Sequence, residues 1–131
     1  MTTITIGSRQ RVELIDISDA VRAAIRNAGV RDGLAVVYTP HTTAAITINE
    51  NADPDVAIDL VAALSKLVPF DHHYRHAEGN SAAHVKSTLV GASETLIVAG
   101  GAPVLGTWQG IYFCEFDGPR RRQVHIKVIG A

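Results

Sequence analysis

Apolar and polar residues alternate along several short stretches of the chain, and this pattern predicts β-strands. Seven such segments are separated by glycine, proline or charged residues: 2–6, 11–17, 34–39, 42–49, 95–99, 109–116 and 123–129. In the segment 42–49, Ile46 and Ile48 alternate with Thr47 and Asn49. One face of this strand is therefore predicted to lie in the core and the other to be polar.

A helical spacing of apolar residues predicts three helices between these strands. They begin at Ser18 or Asp19, at Asp53–Pro54 and at Asn80 or Ser81, and the first two end at Gly29 or Gly33 and before Pro69. The second helix is expected to bury a wide apolar stripe formed by Val56, Leu60, Ala63, Leu64 and Leu67.

The order of these elements predicts an α+β fold. Strands and helices do not alternate regularly, and no GxGxxG or P-loop pattern is present. We therefore expect one mixed, largely antiparallel sheet with helices packed on one side. No linker or repeat divides the chain, so residues 1–131 are predicted to form a single domain.

Composition and charge exclude several classes of protein. The 131 residues are 47% hydrophobic and carry a net charge of -1, which gives no electrostatic case for binding nucleic acid or a membrane surface. Cys114 is the single cysteine, so no intramolecular disulfide is possible and a reducing compartment is favoured. No signal peptide or membrane-spanning segment is apparent, and we expect a cytoplasmic protein.

The segment His76-Ala-Glu78-Gly-Asn80-Ser81, with His84 three residues further on, is the strongest candidate for a site. His84 falls in the first turn of the predicted helix, where the helix dipole favours a neutral imidazole that can bind a metal or accept a proton. The preceding residues offer hydrogen-bond donors to a phosphate or carboxylate. The alternative is that Asn80 and Ser81 only cap the helix and His84 is a polar helix residue.

A second group of polar residues flanks the strand 42–49. His41 and Thr42 stand at its entry, and Glu50 and Asn51 stand at its exit. A solvated sheet face explains these residues about as well as a site does. If His41 lies close to His84 in the fold, a site becomes the better explanation for this segment.

His41, His76 and His84 together suggest an open metal site that leaves a position for water or substrate. Their spacing is not diagnostic, because they do not share one helical face. Neutral histidines suit zinc or a similar transition metal better than magnesium, although magnesium is the usual ion for diphosphate chemistry.

The arginines at 120–122 follow a strand that is apolar except for Glu115. A glutamate in such a strand needs a partner, so these arginines either pair with it, bind substrate phosphate or form a solvated turn or a subunit salt bridge. Apolar residues on both faces of strands in so small a domain also predict a homo-oligomer.

Three motifs in order, PHTTAAITINENADPDV, HAEGNSAAHVKSTLVG and LGTWQGIYFCEFDGPR, resemble those of the YjbQ family, whose members are named secondary thiamine-phosphate synthases. The resemblance extends from about Val36 to Val128. It implies a homotrimer of α+β subunits with histidine-rich sites near the subunit boundaries. The positions that match the family's site residues are His41, Glu50, Asn51, His76, Glu78, Asn80 and His84, with Trp108, Gln109 and Arg120 as second-rank candidates.

The resemblance implies a reaction that joins a pyrimidine carried on a diphosphate to a thiazole phosphate and releases diphosphate. Within it we expect a small phosphorylated metabolite as substrate, and a divalent metal or a phosphate held by His41, His76 and His84. The expected catalytic residues are His41, Glu50, Glu78 and His84, and the expected phosphate-binding residues are Thr42, Asn51, Asn80, Ser81, Gln109 and Arg120. The alternatives are metal-assisted hydrolysis and a non-catalytic trimer that binds a metabolite or a partner protein.

Overall fold

The computed structural model describes residues 1–131 and contains eight strands and three helices. The strands are β1 (Thr2–Gly7), β2 (Glu13–Asp16), β3 (Asp32–Tyr38), β4 (Ala44–Glu50), β5 (Ser93–Ala99), β6 (Ala102–Pro103), β7 (Gln109–Glu115) and β8 (Arg121–Gly130). The helices are α1 (Ser18–Ala28), α2 (Pro54–Leu67) and α3 (Ser81–Val90). All seven strands and all three helices expected from the sequence are present. The two-residue strand β6 is an addition.

The strands form two sheets, with the orders β1-β8-β3-β5-β6 and β2-β7-β4. Every strand pair is antiparallel. The α+β class is therefore confirmed, whereas the expectation of one mixed sheet is wrong. The split arises because β4 pairs with β7 rather than with β3, which precedes it along the chain.

The main core lies between the two sheets and is closed by α1. The five-stranded sheet contributes Val37 and Val98, the three-stranded sheet contributes Phe113, and α1 contributes Val21 and Ile25, all of them fully buried. Each such side chain stabilises the fold by about 1.5–3 kcal/mol through burial. Buried residues alternate with more exposed ones along β3, β5 and β8, whereas β7 is buried on both faces.

Helix α2 begins as its sequence predicts but does not bury the expected stripe. Asp53 caps it by accepting a hydrogen bond from the backbone N–H of Asp55, and Pro54 lies in its first turn. None of its residues is buried, and Leu67 is 76% exposed in the protomer. An apolar spacing identifies a face of a helix, but it does not show that the same chain covers that face.

Helix α3 packs on the three-stranded sheet through a smaller apolar cluster, which includes Ala45, Ala83, Cys114 and Phe116. Burial raises the pKa of the Cys114 thiol to about 12, so this residue is an inert core side chain, as its apolar surroundings predict. This packing brings the beginning of α3 beside the entry of β4. No helix of the structure has the length and apolar character needed to span a bilayer.

Candidate functional site

His41 lies in the loop between β3 and β4, where its ring is held against the backbone of β8. The N–H of Gln123 donates a hydrogen bond to His41 Nε2 at 2.9 Å. Because a backbone N–H can only donate, Nε2 must carry a lone pair, and the proton of the neutral ring must be on Nδ1. His41 is therefore a neutral imidazole whose remaining nitrogen is a hydrogen-bond donor.

The surroundings of His41 favour this neutral form. Burial lowers the pKa of His41 below its ordinary value, and the positive charge of Arg122 lowers it further, against an opposing effect of Glu115. Protonation of the ring would also require the loss of the hydrogen bond from Gln123. The local electrostatics and the hydrogen bond thus select the same protonation state.

Asn80 is the residue immediately before α3, but its side chain does not cap the helix. Its Nδ2 instead donates to Asp117 Oδ2 at 2.9 Å, and its Oδ1 is buried without a hydrogen-bond partner. Asn80 is therefore the N-cap residue, as the sequence predicts, but its side chain makes no capping hydrogen bond. An unpaired, buried acceptor costs free energy, so Asn80 Oδ1 is available to a ligand that offers a donor.

His76, Glu78 and His84 lie together at the start of α3. The rings of His76 and His84 are 5.7 Å apart between centroids and nearly perpendicular, and His76 Nε2 is 3.7 Å from Glu78 Oε2. Arg11 contacts both ends of the loop that precedes α3. Its guanidinium lies 3.6 Å from the centre of the Phe70 ring and donates to the carbonyl of Gly79 at 3.3 Å.

A buried ion pair forms the floor of the site. Arg122 and Glu115 are 2% and 0% exposed. Arg122 Nε donates to Glu115 Oε1 at 2.9 Å, and Arg122 Nη2 donates to Thr43 Oγ1 at 2.8 Å. Ser8 Oγ donates to Glu115 Oε1 at 2.6 Å. The buried glutamate expected to need a partner thus finds it in one of the three consecutive arginines.

These contacts set the charge of Glu115. Burial raises its pKa, but the hydrogen bonds from Arg122, Ser8 and the N–H of Asp117 lower it more, so the pKa is below its ordinary value. Glu115 is therefore ionised at neutral pH, and it neutralises much of the charge of Arg122.

Arg120 is the cation that remains accessible. Its Nε donates to the carbonyl of Asp117 at 2.8 Å, and its Nη2 donates to Asp117 Oδ2 at 3.0 Å. Half of the side chain is exposed. The same Asp117 oxygen also accepts the hydrogen bond from Asn80, so Arg120 and Asn80 are positioned by one carboxylate.

Two adjoining cavities, of about 330 and 510 Å³, open beside these residues. Both are lined by His41, Thr42 and His84. The rest of the smaller cavity is polar or charged except for one proline, and its other lining residues are Pro40, Thr43, Glu78, Asn80, Arg120 and Arg122. The larger extends along α3 to Gly91. Ser81 and His76 line neither cavity. Polar lining on one side and a larger space on the other suit a phosphate group attached to an organic body.

The expected three-histidine metal site is not assembled within one protomer. No group of three or more histidine, cysteine, aspartate or glutamate side chains has an arrangement that could hold a metal ion. His41 Nε2 is also engaged by the N–H of Gln123. The residues of a single chain therefore do not fit the metal, and we derive no chemistry through it.

Comparison with known proteins shows the family to which the chain belongs. A family model described as "UPF0047 protein YjbQ-like" matches residues 2–131. The chain belongs to the YjbQ family. A UPF0047 protein of Methanocaldococcus jannaschii is 56% identical over 125 residues, which cover 95% of this chain and 91% of that protein. The UPF0047 protein YugU of Bacillus subtilis is 53% identical over 131 residues, and 99% of each protein is covered.

Solved structures give the same result for the fold of the YjbQ family. The crystal structure of a YjbQ/UPF0047 protein from Clostridium acetobutylicum matches with a TM-score of 0.97 and 50% identity, over 98% of this chain and all of that one. A YbjQ-like protein of unknown function from Sulfolobus solfataricus matches with a TM-score of 0.96 at 29% identity, over 99% and 96% of the two chains.

The remaining residues expected from the YjbQ-family motifs lie elsewhere in the protomer. Glu50, Asn51, Trp108 and Gln109 are at the far end of β4 and β7, where Glu50 pairs with Gln109 across the sheet. The seven residues of β4, at about 3.3 Å each, place this group about 20 Å from His41. Asn51 Nδ2 donates to Asp16 Oδ2 at 3.0 Å. Within one protomer the expected residues therefore form two separate groups, one beside His41 and one at the far end of β4 and β7.

Sequence reasoning missed Arg11 and Asp117 and did not single out Arg122. A signal for Arg122 was present, because the alternation along β8 places it on the same face as the buried Val124 and Ile126. Nothing local in the sequence connects Arg11 with the loop 70–79, since that contact depends on the tertiary packing.

Proposed function

We propose that the two cavities beside His41 bind small phosphorylated metabolites, and that the protein couples a pyrimidine carried on a diphosphate to a thiazole phosphate with release of diphosphate. The observation that carries the proposal is the smaller cavity, in which Arg120 and neutral His41 offer donors to a space lined almost entirely by polar and charged residues. The reaction class comes from the resemblance of the three motifs to a family whose members are named secondary thiamine-phosphate synthases.

The residues of the smaller cavity suit a departing anion. Nδ1–H of His41 is a neutral donor, and Arg120 supplies a positive charge that Asp117 orients. Donors positioned before the reaction stabilise charge that develops on the leaving oxygens, since they need not reorganise during the step. In the proposed reaction the bond between carbon and the diphosphate oxygen breaks, its electron pair goes to diphosphate, and the same carbon bonds to the thiazole.

The larger cavity supports a reaction of two substrates. It adjoins the smaller one through His41, Thr42 and His84, so a diphosphate in one and a ring system in the other would share these three side chains. Holding two reactants side by side lowers the entropic part of the barrier. In our proposal His84, which lines both cavities, and Glu78, which lines the smaller one, orient the second substrate where the two cavities meet.

The direct test is product formation by purified protein supplied with the pyrimidine diphosphate and the thiazole phosphate, followed by chromatography. We expect His41→Ala and Arg120→Ala to lower kcat by about 10²-fold or more, the loss typical of a removed oxyanion donor. His73→Ala is the matched control, since this exposed histidine lines neither cavity. Equal turnover in all variants would contradict the assignment of the site.

The same variants separate an enzyme from a binding protein. Isothermal titration with inorganic diphosphate measures occupancy of the cavity without turnover. If the wild-type protein binds diphosphate and the two variants bind it weakly, while no product forms, the site is a binding site and the synthase proposal fails.

Elemental analysis of protein purified without a tag then tests the metal prediction. Near-stoichiometric zinc, lost in His41→Ala and His84→Ala, would show that ligands from more than one protomer combine.

A further inference from the structure

Three arginines surround a separate cavity at the opposite end of the five-stranded sheet. Arg22 and Arg26 are one helical turn apart on α1, and Arg31 follows the turn that ends this helix. The cavity has a volume of about 580 Å³, which is within the range of small-molecule sites. Its remaining lining includes Gly29, Gly100 and Gly101, so the wall between the arginines carries few side chains.

Two of the three guanidinium groups have no partner in the protein. Arg22 pairs with Asp19 at 3.2 Å, and the other ion pairs of the chain involve neither Arg26 nor Arg31. Arg31 lies against the glycine turn, where a methyl group added at Gly101 would be 3.7 Å from its Nη1. Both arginines are exposed and line one cavity, so a bound anion would meet two positive charges that no carboxylate neutralises.

A structural role at the end of the helix does not account for this arrangement. A basic residue in the last turn, such as Arg26, is stabilised by the carbonyl groups at the C-terminus of α1. That explanation does not extend to Arg31, which follows Gly29 and lies outside the helix. It also does not explain why both side chains line a cavity.

We infer that this cavity is a second anion site, which binds the phosphate groups of a small molecule that carries at least two of them. The N–H groups of Gly29 and Gly101 already donate to the carbonyls of Arg26 and Arg31. Recognition therefore depends on the guanidinium groups, which match phosphate oxygens in pairs. Cβ atoms one helical turn apart are about 5–6 Å from each other, a spacing at which two arginines can engage adjacent phosphates.

The site is distinct from the cavities beside His41. Strands β3 and β5 pair from Asp32 with Ala99 at one end to Tyr38 with Ser93 at the other. The three arginines lie beyond the first pair, whereas Tyr38 and Ala92 line the larger cavity beside His41 at the second. Seven strand residues at about 3.3 Å each separate the two ends by about 20 Å. One ligand of diphosphate size cannot occupy both.

Calorimetric titration of the whole chain with inorganic diphosphate tests the inference. The double variant Arg26→Ala/Arg31→Ala is expected to lose one binding event, with affinity at that site reduced at least about tenfold. Arg9→Ala is the matched control, because it removes an exposed arginine that lines none of these cavities. Inorganic phosphate should bind this site more weakly than diphosphate, since a single phosphate reaches fewer of the arginines.

Variants of the two sites distinguish this inference from the proposed function. Arg120→Ala should remove binding beside His41 and leave the three-arginine site intact, so either site can fail alone. If the double variant binds diphosphate with the same stoichiometry and affinity as the wild type, the inference is wrong. Thermal unfolding without ligand checks that the double variant is folded. If it is not folded, Arg26→Gln/Arg31→Gln, which changes the shape of the side chains less, replaces it in the titration. Unchanged binding in that second variant would equally overturn the inference.

Discussion

Arg120 and Arg122 are two residues apart, and each pairs with a carboxylate close to the same cavity, yet their surroundings differ sharply. The side chains of Arg122 and Glu115 are 3% and 0% exposed, whereas those of Arg120 and Asp117 are 50% and 14% exposed. Both arginines line the smaller cavity, whereas neither Glu115 nor Asp117 does. Burial therefore separates a structural ion pair from one that is accessible to a ligand.

The difference in burial predicts that removing a partner destabilises the protein much more at the Arg122–Glu115 pair than at the Arg120–Asp117 pair, and that only Arg120 can bind a ligand. Removal of one partner from a buried pair leaves an uncompensated charge in the interior, which costs about 3–5 kcal/mol. An exposed pair contributes about 0–1 kcal/mol, because water screens it. Arg120 can thus exchange part of its contact with Asp117 for a ligand phosphate at little cost, whereas Arg122 cannot leave Glu115.

Ser8 connects the two pairs. Its hydroxyl donates to Glu115 Oε1 at 2.6 Å and accepts a hydrogen bond from the backbone N–H of Arg120 at 2.9 Å. The buried pair therefore also fixes the main chain from which Arg120 extends. This connection means that the stability of one pair and the position of the other can be tested separately with single substitutions.

The largest effect is expected for Glu115→Ala, which leaves Arg122 buried without its carboxylate. We expect the free energy of unfolding to fall by about 3–5 kcal/mol, measured by urea denaturation. Asp117→Ala is the comparison at the less buried pair, and its cost should be clearly smaller. Similar losses in the two variants would show that the difference in burial does not govern the energetics.

Lowering the pH should also reduce the free energy of unfolding, by a smaller amount than Glu115→Ala does. The folded-state pKa of Glu115 lies below its ordinary value, so its ionised form stabilises the fold fully above that ordinary value. This contribution is lost as the pH falls from the ordinary value through the folded-state pKa. The loss should be smaller than in Glu115→Ala, because a protonated glutamate still fills its space.

Urea denaturation at a series of pH values between 7 and about 3 measures this loss. The variant Glu115→Gln is the control, since its side chain has nearly the same shape and does not titrate. Its stability should fall less steeply with acid than that of the wild type. Identical slopes would assign the acid sensitivity to other carboxylates.

The sequence predicted the elements of the fold much better than their arrangement. Alternation in the segments 42–49 and 109–116 identified β4 and β7, but it did not contain their pairing, because many partners satisfy one alternating pattern. The split into two sheets was missed for this reason. Strand β6 was missed because two residues after Gly100 and Gly101 are too few to show a period.

The site followed the same division between local and long-range information. His84 was expected at the start of a helix, and the structure places it with His41 beside the two cavities. The distance of Glu50 and Asn51 from His41 within one protomer was not apparent, since motif positions carry no coordinates. The pairing of Glu115 with Arg122 was within reach of the alternation along β8, as its buried neighbours show.

A moderate effect on stability is expected for Ser8→Ala, which removes the hydroxyl that joins the two pairs. Glu115 loses one of its hydrogen bonds and the N–H of Arg120 loses its acceptor, which together should cost about 1–3 kcal/mol. The mobility of Arg120 should rise as well, and the affinity for inorganic diphosphate should fall in titration calorimetry. A variant with lower stability but unchanged diphosphate affinity would show that Ser8 does not position Arg120.

The smallest effect on stability, and a clear one on binding, is expected for Arg120→Ala. Because the Arg120 side chain is half exposed, its removal should change the free energy of unfolding by less than about 1 kcal/mol. The affinity of the smaller cavity for inorganic diphosphate should nevertheless fall about tenfold or more, since a charge-assisted hydrogen bond to the ligand is lost. Arg121→Ala is the matched control, because its side chain is exposed and lines neither cavity beside His41. If both variants weaken diphosphate binding equally, the general positive charge of this turn, rather than the pairing of Arg120 with Asp117, attracts the ligand.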